Sequence, residues 1–234
     1  MEKYLEKLNI PYGHKFLRGR YFRCETPKRT ILVMHGAGKS SCQGFANLQE
    51  FLGRHSIETI TFDFLGHGET GGDISTSSLD NRTEQALRVI DHLGIAKNLN
   101  VMGFSMGAHN AVKIAAHVPP DRLGLAIPAV YTKKASSINF GPSFSSCIRR
   151  TKSWEDSECF SHIANFKGKL LVISAENDAV IPSEIPCLLI EKAKSCISAE
   201  HHRIKKAGHN LAEHFTQSPH SRQLTLNSIL RWLA

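Results

Sequence analysis

Short apolar runs alternate along the chain with longer segments in which apolar residues recur at helical spacing. The runs that are typical of strands are residues 31–34, 57–62, 99–104, 123–130 and 170–174, with a weaker one near residues 203–204. Strands that are apolar on both faces belong to parallel sheets that helices cover on both sides. The alternation therefore predicts an α/β fold with a mostly parallel central sheet, in one domain over residues 1–234.

Helix patterns fill the intervals between these runs, and one interval departs from the rhythm. The expected helices lie at about residues 45–52, 78–94, 105–117 and 183–194, and a last one has Leu226, Ile229, Leu230 and Leu233 on one face. Residues 131–165 are instead rich in Ser, Lys and Arg, so we interpret them as a short cap insertion. The aromatic residues of this insertion either line a pocket for an acyl group or pack the insertion onto the domain: Phe140, Phe144, Trp154 and Phe160.

The charge distribution argues against a nucleic-acid partner. The formal net charge is +8, but the basic residues are spread along the chain. Arg18, Arg20 and Arg23 lie on one further predicted strand, whereas Lys133 and Lys205 lie in the middle and late parts of the sequence. A nucleic-acid site needs a basic helix or aromatic platforms among the basic residues, and the sequence has neither. We therefore expect a solvated basic surface, a small-molecule substrate and no nucleic-acid partner.

Targeting and cofactor signals are also missing from the sequence. No run approaches the roughly 18 apolar residues that cross a bilayer, so no membrane segment is expected. Residues 1–7 mix acids and bases without an apolar stretch, which is unlike a secretory signal and favours the cytoplasm. The six cysteines contain no C-x-x-C pair, and H-E-x-x-H does not occur, so we expect reduced thiols, no metal site and no cofactor.

The pentapeptide at residues 103–107, Gly-Phe-Ser-Met-Gly, carries the strongest chemical signal. It lies between an apolar strand and a helix of small residues, which is the setting of a nucleophile elbow. A sharp strand-to-helix turn holds the central serine in a strained conformation and lifts its hydroxyl away from the sheet. Side chains two residues to either side would collide there, so glycine suits positions 103 and 107. We predict that Ser105 is a catalytic nucleophile.

A serine nucleophile needs a base and a group that orients the base. The order of the strands predicts these residues in later loops, and Asp178 lies in the loop beyond the strand at residues 170–174. Glu176 is an alternative acid in the same loop, although it is closer to the strand. Among thirteen histidines, His209 follows Gly208 in the loop beyond the weak strand. We predict that His209 is the base and that Asp178 is its partner.

The loop that follows the strand at residues 31–34 reads His35-Gly36-Ala37-Gly38. Beside a nucleophile elbow, this loop supplies one oxyanion donor, and the amide after the nucleophile supplies the other. We predict that the backbone amides of Ala37 and Met106 form the oxyanion hole. His35 is expected to shape the loop through hydrogen bonds.

Gly38-Lys39-Ser40 has the ending of a nucleotide-binding phosphate loop. That loop requires G-x-x-x-x-G-K-S, and its first glycine would fall at position 33, which is Val33 inside a strand. Without this glycine the backbone amides cannot wrap around a phosphate, so nucleotide binding is not expected.

Together these motifs resemble the α/β-hydrolase superfamily. The resemblance covers the chain from about residue 15 onward and rests on residues 35–38, 63–68, 103–107, 177–182 and 208–209. Within the superfamily the chain is most similar to monoglyceride lipases, carboxylesterases and serine aminopeptidase-like hydrolases. The resemblance implies the α/β-hydrolase fold, the same roles for Ser105, Asp178 and His209, and a site-shaping role without bond chemistry for residues 63–68.

Two features separate the chain from many of these relatives. Phe104 stands where many of them carry histidine, and the insertion at residues 131–165 is shorter than a typical lipase lid. The predicted function is cleavage of a carboxylic ester with a short to medium acyl group through an acyl-enzyme. Thioesters, amides or peptides are alternative substrates for the same three side chains, and a non-catalytic binding protein of this fold is the remaining alternative.

Overall fold

A mixed β-sheet forms the centre of the computed structural model, which describes the chain from Lys3 to Ala234. Its strands are β1 (Lys3–Tyr12), β2 (Lys15–Cys24), β3 (Arg29–Met34), β4 (Ile57–Phe62), β5 (Asn100–Phe104), β6 (Arg122–Ala126), β7 (Lys169–Ala175) and β8 (Ser198–Ile204). Over these described residues the strand order is β1-β2-β4-β3-β5-β6-β7-β8. The pairs β1–β2 and β2–β4 are antiparallel, and the pairs from β4 to β8 are parallel.

Helices cover both faces of this sheet. They are α1 (Ala46–Arg54), α2 (Leu79–Leu93), α3 (Met106–His117), α4 (Pro142–Ile148), α5 (Glu158–Asn165), α6 (Glu184–Lys192), α7 (Leu211–Gln217) and α8 (Pro219–Leu233). In β3, Leu32 and Met34 join the buried cluster of α2, α3 and α6, whereas Ile31 and Val33 join that of α1 and α8. Alternate strand residues point to opposite faces, so the two clusters lie on opposite sides of the sheet. The predicted α/β fold with a mostly parallel sheet is confirmed.

The helix boundaries follow local signals in the sequence. Ser78 caps α2 by accepting a hydrogen bond from the Asn81 amide, and Gly94 ends it in a left-handed conformation. The predicted last helix, with Leu226, Ile229, Leu230 and Leu233 on one face, is α8, which Pro219 starts directly after Ser218. The preceding helix α7 was not predicted. None of the described helices is both long enough and apolar enough to cross a bilayer.

Two strands differ from the sequence prediction. The prediction did not include β1, in which the buried Leu8 and Ile10 alternate with the exposed Lys7 and Asn9 at the edge of the sheet. The predicted strand at residues 123–130 is wrong beyond Ala126. The apolar run continues there, but Ile127 turns out of the sheet with a φ of 43°.

The insertion at residues 131–165 contains the short helices α4 and α5. Phe140 and Phe144 are buried and pack in one cluster with Leu79 of α2 and Met106 of α3. For these two aromatic residues, the burial favours the packing alternative over the lining of an acyl pocket. The other two predicted aromatics, Trp154 and Phe160, are partly buried and line an open groove together with Leu188 of α6.

Candidate active site

Four loops meet at the carboxyl ends of the parallel strands. The strands β3, β5, β7 and β8 run parallel, so the loops that follow them leave the sheet at the same edge. Ala37 lies beyond β3, Ser105 beyond β5, Asp178 beyond β7 and His209 beyond β8. The strand order therefore brings together loops that lie as far apart in the sequence as those of Ala37 and His209.

Ser105 occupies a strained turn between β5 and α3. Its φ of 52° and ψ of −118° lie in a region that residues with side chains rarely adopt. A Cβ on Gly103 would lie 2.1 Å from the carbonyl oxygen of Gly107, and a Cβ on Gly107 would lie 2.6 Å from that of Met34. Both positions therefore require glycine, as the elbow pattern predicts.

Backbone hydrogen bonds to the end of β6 hold this turn in place. The Ser105 amide donates to the carbonyl of Ala126 at 2.9 Å, and the Ser105 carbonyl accepts from the Ala129 amide at 3.2 Å. Between these partners, the positive φ of Ile127 turns the chain, and its amide donates to Ile173 of β7 at 2.7 Å. The early end of β6 thus serves to anchor the strained serine.

Ser105, His209 and Asp178 form a continuous hydrogen-bonded chain. Ser105 Oγ lies 3.1 Å from Nε2 of His209, and Nδ1 of His209 lies 2.9 Å from Oδ2 of Asp178. An ionised carboxylate only accepts hydrogen bonds, so Asp178 requires the proton of a neutral His209 to be on Nδ1. Nε2 then has a free lone pair, and it faces the serine hydroxyl.

The surroundings of Asp178 keep its carboxylate ionised. Burial opposes the charge, but hydrogen bonds from His209 and from the backbone amides of Ile181 and Val180 outweigh it and lower the pKa of Asp178. The two amides both donate to Oδ1 at 2.9 Å. Oδ2 accepts from neither amide and is the nearer oxygen to Nδ1 of His209, at 2.9 Å against 3.1 Å for Oδ1, and the side chain is only 7% exposed.

Glu176, the alternative acid, is directed to other partners. Its carboxylate accepts a hydrogen bond from the Lys206 amide at 2.9 Å and lies 3.6 Å from Nη2 of Arg203. Of the two acids in this loop, the structure places Asp178 beside His209.

The predicted oxyanion donors flank the serine. Gly36 is so close that a Cβ on it would lie 3.1 Å from Cβ of Ser105, and Ala37 is the next residue. Met106 is the first residue of α3, where backbone amides have no partner within the helix. No described group accepts a hydrogen bond from the amide of Ala37 or Met106. Both amides are thus available to an external acceptor, near the positive end of the α3 dipole.

Comparison with known proteins identifies the family. The model of a family described as serine aminopeptidase, S33, matches residues 25–154, which is more than half of the chain. The chain belongs to the serine aminopeptidase S33 family. The span that defines this membership includes Ala37, Ser105 and Met106 but ends before Asp178 and His209. The S33 family lies within the α/β-hydrolase superfamily, in agreement with the resemblance found in the sequence.

Individual relatives share part of the sequence or the fold of this S33 chain. A 2-hydroxy-6-oxononadienedioate/2-hydroxy-6-oxononatrienedioate hydrolase of Escherichia coli O81 (strain ED1a) is 29% identical over 121 residues, which are 50% of this chain and 41% of that protein. The chain thus matches less than half the length of this curated relative.

Two solved structures cover nearly the whole chain. A predicted CIB-like hydrolase from Thermoplasma acidophilum superposes with a TM-score of 0.73 at 14% identity, covering 97% of this chain and 99% of that one. A monoacylglycerol lipase from Paleococcus ferrophilus gives a TM-score of 0.69 at 18% identity, covering 100% and 98%. At these identities the likeness shows a common fold.

His35 has the structural role expected of it in this S33 chain. It is buried, its Nε2 accepts a hydrogen bond from the Phe64 amide at 3.2 Å, and its Nδ1 donates to the carbonyl of Gly36 at 2.8 Å. Burial, together with the charges of Arg82 and His67, lowers the pKa of His35 well below its ordinary value. The ring is therefore neutral, and it ties the loop after β3 to the loop after β4.

The loop at residues 63–68, for which the resemblance implies a site-shaping role, is held by hydrogen bonds to Asp63. Asp63 is buried, and its carboxylate accepts hydrogen bonds from the amides of Cys42 at 2.6 Å and Glu69 at 2.8 Å. A Cβ on Gly68 would lie 2.1 Å from the same carboxylate.

In the part of the chain that the structure describes, no three His, Cys, Asp or Glu side chains converge as metal ligands would.

One residue near the site was missed by the sequence analysis. Arg82 of α2 is buried and donates to the carbonyls of His35 and Gly36. The available signal was its position three residues after Leu79 and four before Ala86, on the apolar stripe of an amphipathic helix. A charge on such a stripe indicates a buried polar partner, but the pattern does not identify that partner.

Proposed function

We propose that this chain is a serine hydrolase that cleaves a carboxylic ester with a short to medium acyl group. The observation that carries the proposal is the hydrogen-bonded chain from Ser105 through His209 to Asp178, beside two unpartnered amides. A nucleophile, a base, a group that orients the base and a place for an oxyanion are the four parts that acyl transfer to serine requires.

The proposed reaction begins with attack of Ser105 Oγ on the carbonyl carbon of the ester, while Nε2 of His209 takes the hydroxyl proton. Asp178 stabilises the imidazolium that results. The carbonyl oxygen becomes an oxyanion, which the amides of Ala37 and Met106 bind. When the tetrahedral intermediate collapses, the C–O bond to the alcohol breaks, and the departing alkoxide takes the proton from Nε2.

The acyl-enzyme is then hydrolysed by the reverse sequence of proton transfers. A water molecule loses a proton to Nε2 of His209 as its oxygen attacks the acyl carbon. Collapse of the second tetrahedral intermediate releases the carboxylic acid and returns the proton to Ser105 Oγ. No cofactor enters either half of this reaction.

The limit on acyl length rests on the insertion at residues 131–165. Phe140 and Phe144, two of its four aromatic residues, are buried against Leu79 and Met106. They therefore cannot contribute the exposed surface that a deep acyl tunnel would need. Each methylene that a substrate buries contributes roughly 0.8 kcal/mol, so activity should rise with chain length only as far as the pocket extends.

The test is hydrolysis of p-nitrophenyl esters from acetate to palmitate by the purified chain, below the concentrations at which micelles form. We expect kcat/KM to rise to about eight acyl carbons and then to level off or fall. A steady increase to palmitate would contradict the proposed acyl limit. Acyl-CoA thioesters and aminoacyl amides, assayed in parallel, decide between an esterase, a thioesterase and an amidase.

Ser105→Ala serves as the matched control in each of these assays. Its hydroxyl is removed, while the rest of the elbow keeps its residues. Loss of activity on every substrate class in this variant supports one serine site for all of them. A wild-type chain that is inactive on the entire panel would instead favour the non-catalytic binding protein.

A further inference from the structure

Arg82 is a buried cation that contacts both sides of the proposed oxyanion hole. Its side chain is 1% exposed. Nη2 donates to the carbonyl of His35 at 2.7 Å and to that of Gly36 at 3.2 Å. Nη1 lies 3.3 Å from the sulfur of Met106, and the guanidinium lies 3.9 Å from the centre of the Phe64 ring.

This charge has no anionic partner. Among the residues that the structure describes, no carboxylate forms an ion pair with Arg82, and its Nε has no hydrogen-bond partner. Burial lowers the pKa of Arg82 to about 9, which still keeps the guanidinium protonated at neutral pH. Burying an unpaired cation is costly, so its retention here is difficult to explain by stability alone.

The contact with Gly36 sets the direction of the next amide. In a planar trans peptide the carbonyl and the following N–H point in opposite directions. The Gly36 carbonyl points to Nη2 of Arg82 and to Nδ1 of His35. The Ala37 N–H therefore points away from the buried guanidinium.

Ser105 lies next to this same peptide. A Cβ on Gly36 would lie 3.1 Å from Cβ of Ser105 and 3.6 Å from its Oγ. If the peptide turned over, the carbonyl of Gly36 would take the place of the Ala37 N–H and would repel an oxyanion instead of binding it. Without Arg82, the hydrogen bond from Nδ1 of His35 would be the one described contact of the Gly36 carbonyl left to oppose this rotation.

We propose that Arg82 is a positioning residue that holds the Gly36–Ala37 peptide with its N–H available to the oxyanion, and that its unpaired charge lies behind this donor to stabilise the developing negative charge. The inference rests on the proposed function, because it assumes that an oxyanion forms beside Ser105. The contact of Nη1 with Met106 extends the same support to the residue of the second donor.

The test compares Arg82→Met with Arg82→Lys. Methionine removes the charge and the hydrogen-bond donors but keeps an unbranched side chain that fills the buried space, whereas lysine keeps the charge. Since complete loss of one oxyanion donor costs about 10²–10³ in kcat and His35 remains, we expect Arg82→Met to lower kcat by about 10–100-fold. KM should change by less than about threefold, because the contact acts on the transition state. Arg82→Lys should recover part of the loss.

The matched control is Arg88→Met on the same helix. Arg88 is partly exposed and donates to the carbonyl of Pro11 and the carboxylate of Asp91, neither of which belongs to the elbow or to the loop after β3. Its replacement should leave kcat within about twofold of the wild type, as for other surface changes. The melting temperature of every variant is measured alongside, and if Arg82→Met does not fold, Arg82→Lys carries the test alone.

The outcomes separate this inference from the proposed function. A folded Arg82→Met that keeps the wild-type kcat, whatever its melting temperature, would show that Arg82 is only structural and would overturn the inference while the hydrolase proposal stands. Where Arg82→Met does not fold, a wild-type kcat in Arg82→Lys overturns the inference in the same way, because lysine cannot make both of the arginine's contacts. A wild-type chain whose Ser105 does not react with a fluorophosphonate probe would overturn both. A lower kcat with unchanged KM, partly restored by lysine, supports the positioning role.

Discussion

Replacing Asp178 with asparagine should move the ring proton of His209 from Nδ1 to Nε2 without disturbing the loop. The Oδ1 atom of Asp178 accepts from the amides of Val180 and Ile181, both at 2.9 Å. In the variant only the amide oxygen can take that position, so the NH₂ group must occupy the place of Oδ2, 2.9 Å from Nδ1 of His209. This donor is then the nearer neighbour of Nδ1, since the amide oxygen lies at the 3.1 Å position of Oδ1. We therefore expect the tautomer in which Nδ1 accepts and the ring proton is on Nε2, where it blocks transfer from the serine.

The size of the effect follows from this tautomer change. An orienting aspartate replaced by asparagine costs about 10⁴ in turnover in a serine protease, which corresponds to about 5 kcal/mol in the barrier. Stability should change far less, because the two backbone hydrogen bonds to Oδ1 remain. The loss of their charge-assisted part, about 1 kcal/mol, would lower Tm by about 2–4 °C.

The assay is kcat/KM for p-nitrophenyl acetate with Asp178→Asn and with Glu176→Gln, together with Tm. Glu176 contacts the Lys206 amide and Arg203, so its glutamine variant should stay within about twofold of the wild type. A folded Asp178→Asn that retains more than a tenth of the activity would refute the tautomer argument. Equal impairment of Glu176→Gln would show that the acid is misassigned.

Two further predictions concern stability. Gly103→Ala should lower the free energy of unfolding by at least about 2 kcal/mol in a urea titration, because its Cβ would lie 2.1 Å from a backbone oxygen of α3. In the control Gly44→Ala the new Cβ meets no atom within 4 Å, so this variant should not share the loss. Hydrogen bonds from Lys133 and Lys113 lower the pKa of Glu158 to about 2. The stability that they give is present above the unfolded pKa of about 4.3 and is lost as the pH falls through the folded value. Glu158→Gln should therefore lower Tm at neutral pH but not at about pH 2. An equal Tm difference at both pH values would contradict this ion-pair origin.

The parts of the site that local sequence signals encode were predictable. Gly103 and Gly107 mark the elbow because no other residue fits their backbone contacts, and the apolar runs predict which loops meet. The choice of Asp178 over Glu176 rested on position in the loop, and the hydrogen bonds to His209 agree with it.

The remaining features depend on contacts that the sequence pattern does not carry. Ile127 continues an apolar run, yet it leaves the sheet at the turn between Ala126 and Ala129, whose backbone groups hydrogen-bond to Ser105. Arg82 reads as an isolated charge on an apolar helix face, because its partners are carbonyls of a loop 46 and 47 residues away. In β1, the buried Leu8 and Ile10 are too few among polar and exposed neighbours to indicate a strand from the sequence.

The reactivity of Ser105 is the most direct test of the proposed hydrolase. Wild-type chain and Ser105→Ala are each treated with a fluorophosphonate probe, and the site of the adduct is mapped by peptide mass spectrometry. We expect one adduct, on the peptide that contains Ser105, formed in the wild type and missing from the variant. An unreactive wild-type chain, or an adduct that persists in Ser105→Ala, would contradict the account.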